Sequence, residues 1–275
     1  PLCPKIFLLK TNTMTICTGP RNGLECLQEC YPNVWKQKII SRQKDAKFIF
    51  DLANIVVSPS LFLKSVFNLN NWDRDIKVIK YGVDYSYIKP KKDNYRNLRS
   101  VTFGFIGTIQ SHKGVDILVR AFNKVGLPNI SLKIYGGYFE VDYYEAIVKI
   151  SKNNKRIELL GEYDHNDLPQ IMRDIDMVIV PSVWFENNPI VINLSLAYKI
   201  PVIVSNMPGM TEQIKDGFNG FTFEPGNTKQ LAGIITKIGM NPQILNSFRE
   251  NIINPTRVEE EAFEYERIYY KLINN

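Results

Sequence analysis

The chain has 275 residues, 44% hydrophobic and 23% charged, the composition of an ordinary folded protein, which excludes a disordered, collagenous or coiled-coil chain. At about 150 residues per domain, that length predicts two domains, or one domain and part of another. The net charge of +6 is local, since residues 31–100 hold 14 basic and 6 acidic side chains; such a patch attracts nucleic acid, anionic lipid or a phosphorylated substrate without choosing among them, and equally serves plain solubility.

The chain opens at Pro1 with an apolar segment that reads as the interior of a domain, so a fragment is expected. No signal-peptide pattern opens it, and uncharged stretches such as 52–63 fall short of the ~18 residues of a membrane span. The expectation is a cytoplasmic protein. All four cysteines, Cys3, Cys17, Cys26 and Cys30, fall in the first 30 residues. In a reducing compartment the readings are a structural zinc site, a conditional disulfide or buried free thiols, and the loose spacing leaves all three open.

Further on, 54–57 reads as a strand, Ser58-Pro59-Ser60 as a turn, and a helix starts near Leu61. A short strand follows over 77–80. Residues 82–99, with Pro90 and many Lys and Arg, read as a linker. From residue 100 the pattern becomes regular. Apolar runs at 101–106, 131–135, 157–160, 177–180, 201–205 and 220–223 alternate with helical stretches such as 115–122, where Val115, Leu118, Val119 and Phe122 recur at i, i+3, i+4, i+7. Alternation of this kind predicts a parallel sheet covered on both faces, a doubly wound Rossmann-like α/β domain. Helices run on to about residue 253. Asn254-Pro255-Thr256 breaks the chain, and Thr256 reads as the cap of a final helix with Glu259, Glu260 and Glu261 in its first turn and Phe263, Tyr270 and Leu272 on its apolar side.

Three motifs carry chemistry. Gly104-Phe105-Ile106-Gly107-Thr108, then Ser111-His112-Lys113-Gly114 opening a helix, is a way to hold phosphate: backbone N–H groups and the helix dipole face the anion and the lysine adds charge. It lacks the P-loop spacing, and a tight turn with a solvated lysine explains it equally well. After the run ending at Val180 comes Pro181-Ser182-Val183-Trp184-Phe185-Glu186-Asn187-Asn188-Pro189. Here an isolated carboxylate, Glu186, sits in an aromatic loop at the ligand edge of the sheet, able to bond sugar hydroxyls or simply to be solvated, and Asn188-Pro189 cap and begin a buried helix. Pro208-Gly209-Met210-Thr211-Glu212 is turn chemistry on that same edge.

In this order the segments GFIGT, HKGVDILVRAF, LKIYGG, LPQIMRDIDMVIVPSVWFENNP and PVIVSNMPGMTEQIKDGFNGFTF resemble the C-terminal domain of the retaining glycosyltransferase family 4 (glycosyl transferases group 1). The resemblance runs from about residue 48 to 270. It implies a GT-B fold: a partial N-terminal, acceptor-side Rossmann-like domain with linker over 1–95, a complete donor-binding domain over 96–254, and a C-terminal helix over 255–275 packing back on the first part. It also implies a nucleotide diphosphate sugar as donor, a glycan or lipid-linked acceptor, retention at the anomeric carbon, and no required cofactor. Carried over to this sequence, Gly107, Thr108 and Lys113 grip the diphosphate, with Thr108 standing where the family often has arginine. Glu186 orients the sugar and, with Lys113, is the catalytic candidate. The backbone N–H groups around Ile190 and Val191 meet the diphosphate at a helix start, with Asn188 and Pro189 beside them at the donor, and Gly136, Gly161, Tyr163 and Leu168 border the nucleotide. The second glutamate of the family's E-x7-E motif falls on Leu194, which cannot accept from ribose hydroxyls. The alternative is therefore a degenerate, non-catalytic nucleotide-sugar-binding module. The cysteine-bearing opening resembles a stretch of the family's N-terminal domain, and the active-site histidine of that domain would lie before Pro1. His112 belongs to the phosphate motif and His165 to a surface turn. The basic segment 31–100 is a candidate peripheral membrane contact; no nucleic-acid-binding signature accompanies it.

Overall fold

Period-two alternation along the strands and a 3.6-residue stripe along the helices sort the apolar residues onto the two faces of a parallel sheet. The computed structural model describes residues 3, 8, 10, 13, 17–31, 36–72, 74–88 and 99–274. Its elements are α1 (Leu24–Glu29), α2 (Lys36–Leu52), β1 (Val56–Ser58), α3 (Leu61–Leu69), β2 (Ile76–Val78), β3 (Val101–Ile106), α4 (Val115–Asn123), β4 (Ile130–Tyr135), α5 (Val141–Ser151), β5 (Ile157–Gly161), α6 (Leu168–Asp174), β6 (Met177–Val180), α7 (Ile190–Ala197), β7 (Val202–Ser205), α8 (Pro208–Thr211), β8 (Gly220–Phe223), α9 (Thr228–Met240), α10 (Ile244–Glu250) and α11 (Val258–Ile273). Strands β1 and β2 pair in parallel. The other six form a parallel sheet in the order β5-β4-β3-β6-β7-β8. This is the α/β architecture expected from the alternating pattern.

In β6, Met177 and Ile179 face one core with Phe103, Leu132, Ile203 and Phe221, while Val178 and Val180 face the other with Ile106, Val202 and Val204. Helix α4 covers the first face. Its stripe of Val115, Leu118, Val119 and Phe122 is fully buried, each such side chain contributing roughly 1.5–3 kcal/mol by leaving water. On the second face Gly104 leaves room that Ile175 fills, since a Cβ there would run into the isoleucine side chain. Asp176 closes that corner, its carboxylate accepting from the Thr102 N–H at 2.9 Å.

The six-stranded part meets the β1–β2 part through specific contacts. Ser60 caps α3 by accepting from the Leu63 N–H at 3.1 Å, and Glu212 takes the neighbouring Phe62 N–H at 2.8 Å. The Phe62 and Phe185 rings lie 4.6 Å apart. Val83 bridges to Arg257, Gly82 N–H donates to Glu261 at 2.7 Å, and the Tyr85 hydroxyl donates to the Pro255 carbonyl at 2.9 Å.

Several expectations are corrected. Arg257, not Thr256, occupies the N-cap position of α11, its N–H donating to Glu260. Phe263, Tyr270 and Leu272 are exposed and Ile268 is the buried residue of that helix, because α11 meets its neighbours largely through charged side chains, Glu261 on Gly82 and Glu264 on Lys77. Pro189 stands at the N-cap of α7, while Asn188 turns away to donate to the Pro59 carbonyl at 3.1 Å. The described cysteines form neither a disulfide nor a metal-ligand set. Among the described residues no three His, Cys, Asp or Glu side chains converge as metal ligands, and Cys3, Cys17, Cys26 and Cys30 are all unbridged. Burial pushes the Cys17 thiol up and the Cys26 thiol to about 12, and the neighbouring cysteines add to both shifts. Pro1, and positions 89–98 of the expected linker, lie outside the described residues.

Gly114 joins the turn Ser111–Lys113 to α4 in a left-handed conformation, φ 69°, and a Cβ there would collide with the Pro181 carbonyl. Gly114→Ala is expected to destabilise the protein by about 1–3 kcal/mol, read as a melting point lower by several degrees; an unchanged melting point would refute this account of the turn.

Candidate functional site

Chain direction places the site. From β3 the sheet grows one way through β4 and β5 and, after the return to β6, the other way through β7 and β8, so β3 and β6 flank the switch point where open α/β sheets bind ligands. The two strands pair only at Phe103↔Met177 and Gly104↔Val178. Beyond that register their carboxyl ends part, and the loops that follow them face each other across the gap.

After β3, Gly107 has φ 151° and its N–H donates to the Tyr135 carbonyl at 3.0 Å. Gly136 is glycine because a Cβ would strike the Gly107 carbonyl. Ser111 N–H donates to Glu140 at 3.0 Å, and the turn delivers Lys113 towards the loop after β6. The Val183 N–H donates to the His112 carbonyl at 2.9 Å, tying the loops together.

Glu186 is not isolated. Its Oε1 accepts from Lys113 Nζ at 2.6 Å, from the Trp184 indole N–H at 2.9 Å and from the Ser182 hydroxyl at 3.0 Å. With 9% of its surface exposed, a carboxylate needs such partners. The Lys113 ammonium also lies 5.2 Å from the centre of the Trp184 ring, and the His112 ring stands edge-on to that indole at 4.4 Å. Gly209 lets α8 approach, since a Cβ there would overlap the Glu186 carbonyl. Burial first, and the Lys113 charge second, push the His112 imidazole below its ordinary pKa, against a weaker pull from Glu186 and Glu140.

Gly107, Thr108, Lys113, Tyr163, Leu168, Glu186, Asn188, Pro189, Ile190, Val191 and Leu194 all line one cleft of about 810 Å³. Gly136 and Gly161 do not reach it; they stand behind the wall, the Gly136 N–H donating to the Gly161 carbonyl at 2.7 Å. The start of α7 has no side-chain cap, so its first N–H groups remain available at the cleft. Leu194 contributes hydrocarbon, packed against the second core.

Several lining residues escaped the sequence reading. Ser182 lies within a quoted motif, but nothing in its spacing marks it as a partner of Glu186. Tyr198 stands just past the end of α7, at its C-cap, and nothing in its spacing marks it as a lining residue. Tyr81, with Gly82, Val83, Asp84, Tyr87 and Ile88 from the segment read as linker, forms part of the wall, and hydrogen bonds from Ser86 hold the Asp84 carboxyl below its ordinary range. His165, read as a surface residue, is exposed and also borders the cleft.

Residues 88–255 match the family described as Glycosyl transferases group 1. An uncharacterized glycosyltransferase of Methanocaldococcus jannaschii is 27% identical over 232 residues, covering 80% of this chain and 58% of the relative, so the chain spans little more than half that relative's length. The Escherichia coli UDP-Gal:alpha-D-GlcNAc-diphosphoundecaprenol alpha-1,3-galactosyltransferase is 27% identical over 125 residues, 44% of this chain and 31% of that enzyme. In fold, the chain is similar to Anabaena HepE in its crystal structure with UDP and glucose, with TM-score 0.73 and 22% identity over 87% of this chain and 69% of that one.

The depressed His112 pKa has a signed consequence. Its contribution to stability is in full effect above the unfolded value of about 6.5; below it the unfolded chain takes up a proton that the folded imidazole refuses, and stability falls until the folded pKa is passed. His112→Asn should flatten the fall in melting temperature between pH 7 and pH 5.5. An identical fall in both proteins would assign it to other groups.

Proposed function

The chain belongs to the group 1 glycosyl transferases, and from that premise we propose that its cleft binds a nucleoside diphosphate sugar and transfers the sugar, with retention, to a glycan or lipid-linked hydroxyl. One observation carries the reading: two loops at a single switch point bring a lysine, a nearly buried carboxylate and an uncapped helix start to one cleft. Lys113 and the amides around Ile190 and Val191 meet the diphosphate, stabilising the charge that grows on it as the sugar leaves. Gly107 and Thr108 let the backbone approach the phosphates. Glu186 orients the sugar through its hydroxyls. Tyr163 and Leu168 border the nucleotide, and Gly136 and Gly161 support that wall from behind. The acceptor hydroxyl attacks from the face the leaving group departs, its proton passing to a phosphate oxygen. On this reading the protein's own cations and amides carry the leaving-group charge, and no cofactor is required.

UDP is the first donor nucleotide to test, because HepE was crystallised with UDP and with UDP-glucose. Leu194 favours a second reading, binding without turnover, since an aliphatic side chain offers a ribose no acceptor.

Calorimetric titration with UDP, GDP and UDP-glucose decides the donor site. Lys113→Ala is expected to lose about 1.5–3 kcal/mol of a charge-assisted contact, roughly a 10- to 100-fold weaker dissociation constant. A folded sample that binds no nucleoside diphosphate refutes the proposal, and binding without donor hydrolysis or transfer selects the second reading.

No helix among the described residues is long and apolar enough to cross a membrane. For an acceptor carried on lipid, the proposed contact lies in 31–100, where α2 bears Lys36, Lys38, Arg42, Lys44 and Lys47 beside exposed Phe48, Ile49 and Leu52. At about 1 kcal/mol per basic residue at an anionic surface, the protein should sediment with phosphatidylglycerol vesicles at low salt and be released by added salt. Equal retention on neutral vesicles would remove the electrostatic part of this contact.

A further inference from the structure

If the cleft binds a sugar donor in the way proposed above, the ion pair between Lys113 and Glu186 stands in the donor's path, and the inference drawn from it rests on that function. The cation meant for the diphosphate and the carboxylate meant for the sugar neutralise one another at 2.6 Å, so an entering donor must part them, and Glu186 must not swing away when its strongest partner leaves. All three of its contacts fall on Oε1: Lys113 Nζ, Ser182 Oγ and Trp184 Nε1. Oε2 takes no partner among the described residues and is the oxygen left for a ligand.

The three donors differ in kind. Lys113 is charged and arrives from the other loop on a flexible stem, so a diphosphate can draw it off. Ser182 and Trp184 are neutral, lie within four residues of Glu186, and have no charge for an anion to attract. The indole can only donate, so its bond to the carboxylate fixes which oxygen faces inward. With Lys113 gone, two donors still meet the two lone pairs of Oε1. The face of that indole lies 5.2 Å from the ammonium, a distance at which ring and cation attract. The His112 ring packs against the same indole, the two ring centres 4.4 Å apart.

We propose that Trp184 is a positioning residue for sugar transfer: its N–H locks Glu186 Oε1 and its ring seats Lys113, so that the ion pair opens to a diphosphate while Oε2 stays aimed at the sugar. The contribution of the N–H falls on the sugar and spares the diphosphate.

Two measurements test this. In the unliganded protein, the ¹H–¹⁵N indole signal that disappears in Trp184→Phe, which keeps a ring and loses the N–H, should move clearly in Glu186→Gln, because a charged acceptor becomes a neutral one. A signal that does not move overturns the proposal, and this result stands even if no nucleotide binds. In titrations, Trp184→Phe should keep the wild-type affinity for UDP within about twofold and lower the affinity for UDP-glucose about tenfold, or about 1.4 kcal/mol, while Lys113→Ala should weaken both ligands together. A Trp184→Phe protein that loses both ligands equally, or neither, refutes the positioning role. A wild-type protein that binds neither ligand refutes the donor-site reading instead and leaves the indole signal to decide the geometry.

Discussion

The short register between β3 and β6 is the constraint on which the site depends. Two residue pairs hold the strands together at Phe103 and Gly104, and the sheet then opens between Ile106 and Val180. Longer pairing would close this opening with backbone. Pairing this short needs support from elsewhere, and the chain supplies it at the amino-terminal end, where Ile175 fills the space above Gly104 and Asp176 both donates its N–H to the Thr102 carbonyl and accepts the Thr102 N–H. The sheet is clamped below the register and released above it.

Across the opening, charge is arranged before any ligand arrives. A nearly buried carboxylate would be costly alone, and Glu186 is made tolerable by an ammonium, an indole and a hydroxyl. The same arrangement keeps Lys113 within reach of the cleft, so the cost of ordering a flexible side chain is met in the unliganded fold. Neighbouring elements add to this. The Phe62 ring from α3 rests on Phe185, next to Glu186 in sequence, and Asn188 is tied to Pro59, which connects the glutamate loop to the β1–β2 part.

What could be read from the sequence was local. The stripe of α4 and the six apolar runs of the sheet follow from periodicity, because burial on one helix face or both sheet faces dictates residue type at each step. The segment read as a strand at 77–80 begins one residue earlier, and the one at 54–57 two residues later, since boundaries depend on hydrogen bonds that composition does not encode. The convergence of Gly107, Lys113, Glu186 and α7 was anticipated by resemblance and by the rule for sheet edges. Pairing across 73 residues, Lys113 with Glu186, has no local signature, and a loop carboxylate therefore read as isolated. Crowding of the four cysteines in sequence left zinc, a conditional disulfide and buried thiols open, and the fold shows no disulfide and no converging set of metal ligands among the described residues. The apolar residues of α11 misled because a helix held by carboxylates at its first turns exposes much of its hydrocarbon.

The bridge between Val83 and Arg257 has a topological consequence. The chain enters the six-stranded part beside the point where it leaves, so everything between those residues is a closed circuit whose two ends touch. Circuits of that kind tolerate new termini, because joining the old ends needs only a short connector. A rearranged gene that begins in the exposed turn near Gly226 and reconnects 257 to 83 would retain every strand pairing of the sheet.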